Sequence, residues 1–124
     1  FRGFHPSSFS GTLYCYLKVK NNEIINLSEK KSFTNKPHNE FASTGSYYFK
    51  DYEKMEKYSY KAINSKFLKR KFKETYMSLP FFFIIKEKKP ILNFEVKNFV
   101  SLGTPKDYLE FLNWYNFFNF KNRI

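Results

Sequence analysis

Gly11-Thr12-Leu13-Tyr14-Cys15-Tyr16-Leu17-Lys18-Val19-Lys20-Asn21-Asn22-Glu23-Ile24-Ile25-Asn26-Leu27 is the stretch that decides the fold class. Leu13, Cys15, Leu17 and Val19 alternate with Thr12, Tyr14, Tyr16 and Lys18, the period of a half-buried strand. Asn21-Asn22 is a turn signal, and Glu23 to Leu27 returns as a second strand. Residues 11–28 therefore read as a β-hairpin.

Downstream, Ser32 to Asn39 is polar and contains Pro37, a loop before a third strand from Phe41 to Phe49. Asp51 suits the cap of a helix running to about Ile63, with Tyr52, Met55, Ser59 and Ala62 on one face. A second helix is expected from Lys66 to about Tyr76. There Leu68, Phe72 and Thr75 line one side, and Lys66, Lys69, Arg70 and Lys73 another. Pro80 breaks any longer helix but is acceptable in the first turn of a new one capped by Ser78. Ile91 to Val100 reads as a strand with Leu92, Phe94 and Val96 on one face. In Gly103-Thr104-Pro105-Lys106-Asp107, Thr104 suits the N-cap, Pro105 the first helical position and Asp107 the capping-box position. Tyr108, Leu109, Phe111, Leu112, Tyr115 and Phe118 would form the apolar stripe of that helix, with Trp114 just off it. The order β-β-β-α-α-α-β-α is that of an α/β layer structure.

The length of 124 residues suits one domain or a piece of one, and the start on Phe1-Arg2-Gly3-Phe4 reads as a fragment of something longer. With 42% hydrophobic and 23% aromatic residues, the chain must fold or pack against a partner. The longest apolar run, Leu79 to Ile85, falls short of the ~20 residues that cross a bilayer, and no signal peptide is recognisable. A single Cys15 in a strand interior suits a buried, inert thiol in a reducing, cytoplasmic setting. The net charge of +11 would attract polyanions or phosphorylated ligands, although an AT-biased genome would also enrich Lys, Asn, Phe and Ile.

Several constellations carry both a bland and a functional reading. The segment Lys66 to Lys73 could bind nucleic acid through cations and stacking rings, but its Phe and Leu keep helical phase with a core, which favours a solvated basic face. His5 and His38 lack metal-ligand spacing to any partner, and no catalytic triad can be assembled. Glu29-Lys30 closes the second strand before a loop: a carboxylate there can accept from vicinal sugar hydroxyls, an ammonium can neutralise a phosphate, or the two can be an exposed ion pair. Gly45 within Ala42-Ser43-Thr44-Gly45 either relieves crowding or lets a ligand approach the backbone.

The order of the pieces adds to this. Gly11, Ser28-Glu29-Lys30, Asn39 through Phe49, Lys73-Glu74-Thr75-Tyr76 and Phe99-Val100-Ser101-Leu102-Gly103-Thr104-Pro105-Lys106-Asp107 together resemble the sugar-phosphate nucleotidyltransferase family, over nearly the whole chain. Gly3-Phe4-His5-Pro6 resembles members found with capsular and surface polysaccharide genes. The resemblance implies the C-terminal portion of a Rossmann-like fold, a mixed sheet with flanking helices, in an enzyme that joins a sugar 1-phosphate to a nucleoside triphosphate and releases pyrophosphate. It implies sugar contacts from Gly11 and Glu29, a phosphate contact from Lys30 as the catalytic position, a pocket wall at Thr44 and Gly45, and help from Mg²⁺. The Gly-rich loop and the central metal-binding Asp of the family have no counterpart here, so the nucleotide-binding N-terminal half is the expected missing partner and the segment alone is expected to be inactive. Where many metal-dependent members have Asp, this chain has Ser101, a poor Mg²⁺ ligand. The alternatives are a basic module binding RNA or an anionic surface, and a non-catalytic homologue that holds a sugar phosphate.

Overall fold

Asn21 and Asn22 both take positive φ, 50° and 63°, the combination that a tight two-residue hairpin turn requires. In the computed structural model, which describes residues 1–3, 13–72 and 74–121, they join β1 (Cys15–Lys20) to β2 (Glu23–Glu29). The strands pair antiparallel from Lys20 opposite Glu23 to Cys15 opposite Glu29, with an irregularity between Lys18 and Val19. The predicted hairpin is present. Gly11, His5 and Lys73 lie outside the described residues.

A short β3 (Phe41–Ala42) pairs antiparallel with the other edge of β1, giving the order β2-β1-β3. The third strand expected to reach Phe49 is therefore much shorter. After Ser43 N–H donates to the Cys15 carbonyl at 2.8 Å, the chain leaves the sheet. Ser43 Oγ accepts from Gly45 N at 3.0 Å and Thr44 Oγ1 from Ser46 N at 3.4 Å, while Gly45 adopts φ 84°. Local side-chain bonds and a left-handed glycine replace the ladder.

Helix α1 (Tyr52–Asn64) starts as its sequence predicts, with Asp51 Oδ1 accepting from Glu53 N at 3.0 Å and Lys54 N at 3.4 Å. Ser65 ends it and caps α2 (Lys66–Lys71) through the Leu68 N–H. The expected continuation to Tyr76 is absent. Lys69, Arg70 and Lys71 crowd the last turn, where cations favour a C-terminus, and Phe72 is extended. Helix α3 (Leu79–Lys86) carries Pro80 in its first turn, as anticipated. Helix α4 (Pro105–Lys121) opens with the predicted capping box: Asp107 N donates to Thr104 Oγ1 at 3.1 Å and Thr104 N to Asp107 Oδ2 at 3.2 Å.

The core sits on both faces of the hairpin. Tyr58 of α1, Phe81 and Ile84 of α3, and Ile91 pack with Ile24 and Leu27 on one face. Phe1, Tyr16 and Ala42 pack with Tyr14 and Phe99 on the other. Tyr16, expected on the solvated side of a half-buried strand, is thus only 2% exposed. A third cluster of Ala62, Leu68 and Leu79 ties α1, α2 and α3 together.

Two expectations fail on apolar pattern alone. The strand proposed for Ile91 to Val100 shrinks to a bridge between Leu92 and Glu23, flanked by Ile24 N to the Ile91 carbonyl at 2.8 Å and Asn93 N to the Asn22 carbonyl at 2.9 Å. Ile91 is the buried residue, whereas Phe94 is 89% exposed. The α4 stripe is only partly covered: Phe111 and Leu112 are half-buried, but Leu109, Tyr115 and Phe118 are more than half exposed, and Trp114 stacks on Phe118 along the same helix. Among the described residues the fold is mixed α/β, with a small antiparallel sheet and four α-helices. None of the helices is long and apolar enough to cross a membrane.

Candidate functional site

At the end of the sheet where Cys15 faces Glu29, three chain segments border an open cleft of about 490 Å³. The Ser43-Thr44-Gly45 turn forms one wall, Tyr76-Met77 before α3 a second, and Phe99 to Gly103 before α4 a third. That volume lies in the ~300–1,000 Å³ range of small-ligand sites. A larger concavity of about 600 Å³ beside Phe49 to Lys54 is walled by a single local stretch, and its carboxylate, Asp51, already caps α1.

Glu29 reaches the cleft because it ends β2 opposite Cys15. Its carboxylate accepts a hydrogen bond from the hydroxyl of Ser78, which is 1% exposed. Burial, and then the charge of Glu29, push the Cys15 thiol up to about 12, so it stays neutral beside that carboxylate. Ser43 Oγ donates to Tyr47 Oη at 3.0 Å, and burial raises the Tyr47 phenol above its ordinary value. The floor is therefore one carboxylate set among neutral hydroxyl and thiol groups.

Lys30 follows Glu29 but leaves the strand at φ 51°, with its N–H donating to the Tyr14 carbonyl at 2.9 Å. Lys30 does not line the cleft but lies beside Tyr76, which does. Its Nζ lies 4.9 Å from the centre of the Tyr76 ring and 3.6 Å from Glu74 Oε2. Hydrogen bonding to Tyr76 is the main influence raising the ammonium above its ordinary value, against desolvation, and Glu74 adds to it.

Of the positions expected at the site, Glu29, Thr44 and Gly45 line the cleft, and Lys30 borders it through Tyr76. At Gly45 a Cβ would meet nothing within 4 Å, so the glycine is required by its φ and not by close approach. Ser101 also lines the cleft, and its hydroxyl donates to Asp107 Oδ2 at 3.3 Å. Among the described residues no three His, Cys, Asp or Glu side chains gather to hold a metal ion. A serine sharing a carboxylate that is already committed to a helix cap does not fit a Mg²⁺ site, and no step below runs through one.

Ser78 and Tyr47 were not legible as site residues. Ser78 precedes Leu79-Pro80, a helix-start signal that hides its second use. The basic face behaves as its periodicity suggests: Lys66, Lys69, Arg70 and Lys71 are exposed and Leu68 is buried. Phe67, 55% exposed, stacks on Phe82 at 6.0 Å, with Lys71 and Lys86 within 6 Å of its ring. Compared with known proteins, the chain matches no family model, no curated protein and no solved structure.

Proposed function

We propose that this chain forms the sugar-phosphate side of a cytoplasmic, Rossmann-like nucleotidyltransferase that makes a nucleoside-diphosphate sugar. The observation that supports this reading is convergence. Segments far apart in the chain, around Glu29, Thr44-Gly45, Tyr76 and Phe99 to Gly103, carry the resemblance to that family, and they wall one cleft.

In this reading Glu29 accepts hydrogen bonds from ring hydroxyls, and Lys30 orients the sugar phosphate at the rim. A phosphate oxygen then attacks the α-phosphorus of the nucleoside triphosphate in line. A new P–O bond forms as the bond to the β-phosphate bridge breaks, and pyrophosphate leaves with its electron pair. The tasks of these residues are positioning and charge stabilisation. The groups that bind the nucleotide, and the Mg²⁺ that the family uses, belong to the nucleotide half of such an enzyme.

Pyrophosphate release by the full-length protein, assayed with nucleoside triphosphates and a panel of sugar 1-phosphates, is the test. Activity that drops strongly in Glu29→Ala and Lys30→Ala is expected. Unchanged rates in both variants would remove these residues from the site. A second reading, a non-catalytic sugar-phosphate-binding homologue, is favoured by Ser101, whose hydroxyl is bonded to Asp107 where many relatives would present a carboxylate. It predicts sugar-phosphate binding without pyrophosphate release.

A further inference from the structure

We infer that the cleft accepts a sugar phosphate whose ring carries hydroxyl or amino groups and rejects one whose ring carries a carboxylate, with the phosphate directed to Lys30 at the rim. This rests on the proposal that the cleft is a sugar-phosphate site and adds the charge class of the sugar.

The charges around the cleft are sorted by position. Among the described residues lining it, Glu29 is the one charged side chain, and no lysine or arginine joins it. From behind, Glu29 receives a hydrogen bond from the buried Ser78 hydroxyl and faces the neutral Cys15 thiol. Neither brings positive charge. A half-buried carboxylate supplied only with neutral donors still has acceptor capacity, which hydroxyls or an ammonium group of a ligand can fill. A second carboxylate in the same space would meet like charge, with no cation among the described lining residues to offset it.

The remaining polar groups at the walls, Ser43, Thr44, Tyr47 and Ser101, are hydroxyls that can donate or accept. Tyr14, Tyr76 and Phe99 add apolar ring surface. That mixture suits a polyol, whose faces are apolar and whose edges are polar.

The cation is close but separate. Lys30, in a left-handed turn, has its Nζ 4.9 Å from the ring centre of Tyr76, a residue that lines the cleft while Lys30 itself does not. There it pairs with Glu74 at 3.6 Å, a contact in which both side chains are at least half exposed. Exposed pairs of this kind are weak, so a phosphate dianion can take Lys30 from Glu74. Consecutive residues thus divide the site, with negative charge at the ring end and positive charge at the phosphate end.

The experiment is isothermal titration of the full-length protein with the 1-phosphates of glucose and mannose, their 2-amino derivatives and the corresponding uronic acids. Neutral and amino sugars should bind, with the matching uronate at least about ten-fold weaker, equivalent to about 1.4 kcal/mol of like-charge discrimination. Glu29→Gln, which keeps an acceptor for Ser78, should bring the uronate to within about two-fold of its neutral counterpart. A thermal melt of that variant checks that it is folded. A uronate that binds as tightly as its neutral counterpart overturns the inference and leaves the sugar-phosphate reading standing. So does discrimination that survives Glu29→Gln. If none of the six ligands binds, the sugar-phosphate reading falls and the inference falls with it.

Discussion

Ser78 stands at the N-cap of α3, yet its hydroxyl is bonded to Glu29 and not to its own helix. The hydroxyl holds a carboxylate 49 residues away in the chain. Ser78 is itself helical, Pro80 has no N–H, and Phe81 N donates to the Ser78 carbonyl at 3.1 Å, so the hydroxyl has no free first-turn donor to receive.

Removing that hydroxyl should destabilise the fold. Ser78→Ala leaves the half-buried Glu29 carboxylate short of a donor, and a loss of about 1–3 kcal/mol is expected from urea unfolding. Ser78→Ala combined with Glu29→Leu should lose less than the sum of the single changes, because the second removes the group that the first strands. Strict additivity would show that the two side chains are energetically independent.

Glu87 accepts from Tyr58 Oη and from Lys61 Nζ, each at 2.6 Å, and pairs with Lys89 at 2.9 Å. These contacts, Lys61 first, hold its carboxyl down at about 2, below the usual 4.5. A depressed folded-state value means that the unfolded chain binds the proton more readily, so stability is fully present above about 4.5 and is lost as pH falls towards about 2. Glu87→Gln should flatten that part of an acid-unfolding profile. An unchanged slope would mean that the contacts contribute nothing.

Cys15 responds in the opposite direction. Its value in the folded chain, raised by burial to about 12 from 9.0, makes the folded state the tighter proton binder. The corresponding stability is complete below pH 9 and is lost as pH climbs through 12. A thiol reagent at neutral pH should label Cys15 only at the rate of unfolding, and Cys15→Ser should reduce the alkaline loss. Rapid labelling of the folded protein would contradict its burial.

The exposed Phe67 with Lys71 and Lys86 around it is the place where an RNA-binding role would show. Filter binding to single-stranded RNA should be weaker than about micromolar at physiological salt, the level of non-specific phosphate contact. Micromolar affinity that falls steeply with salt and is abolished by Phe67→Ala would move the function to this face.

Much of the local structure was legible because single residues dictate it. Asn21-Asn22, Asp51, Pro80 and Thr104-Pro105 act within a few positions of themselves, and each does in the structure what its chemistry requires. The failures share one cause. Phe41 to Phe49 and Ile91 to Val100 have strand-like composition, but a strand needs a neighbour, and sequence periodicity does not say whether one is available. The Ser43 and Gly45 turn withdraws the first segment, and among the described residues the second pairs with β2 through one bridge at Glu23. At the site, Glu29, Thr44 and Gly45, singled out by motif order, line one cleft. Ser78, Tyr47 and the rim position of Lys30 were not legible, since they depend on contacts between distant segments.

The Glu29 and Ser78 contact spans 49 residues, whereas the Asn21-Asn22 turn joins strands that are adjacent in the chain. Hairpins of this kind form in about 1–10 μs, while contacts between distant segments wait for loop closure and for the rest of the core. The hairpin should consequently be an early event in folding and the closing of the cleft walls a late one. In a stopped-flow refolding experiment the backbone signal of the sheet should recover before Cys15, which lines the cleft, is protected from a thiol reagent. A chain caught between those two moments would have its strands in place and its cleft still open to solvent.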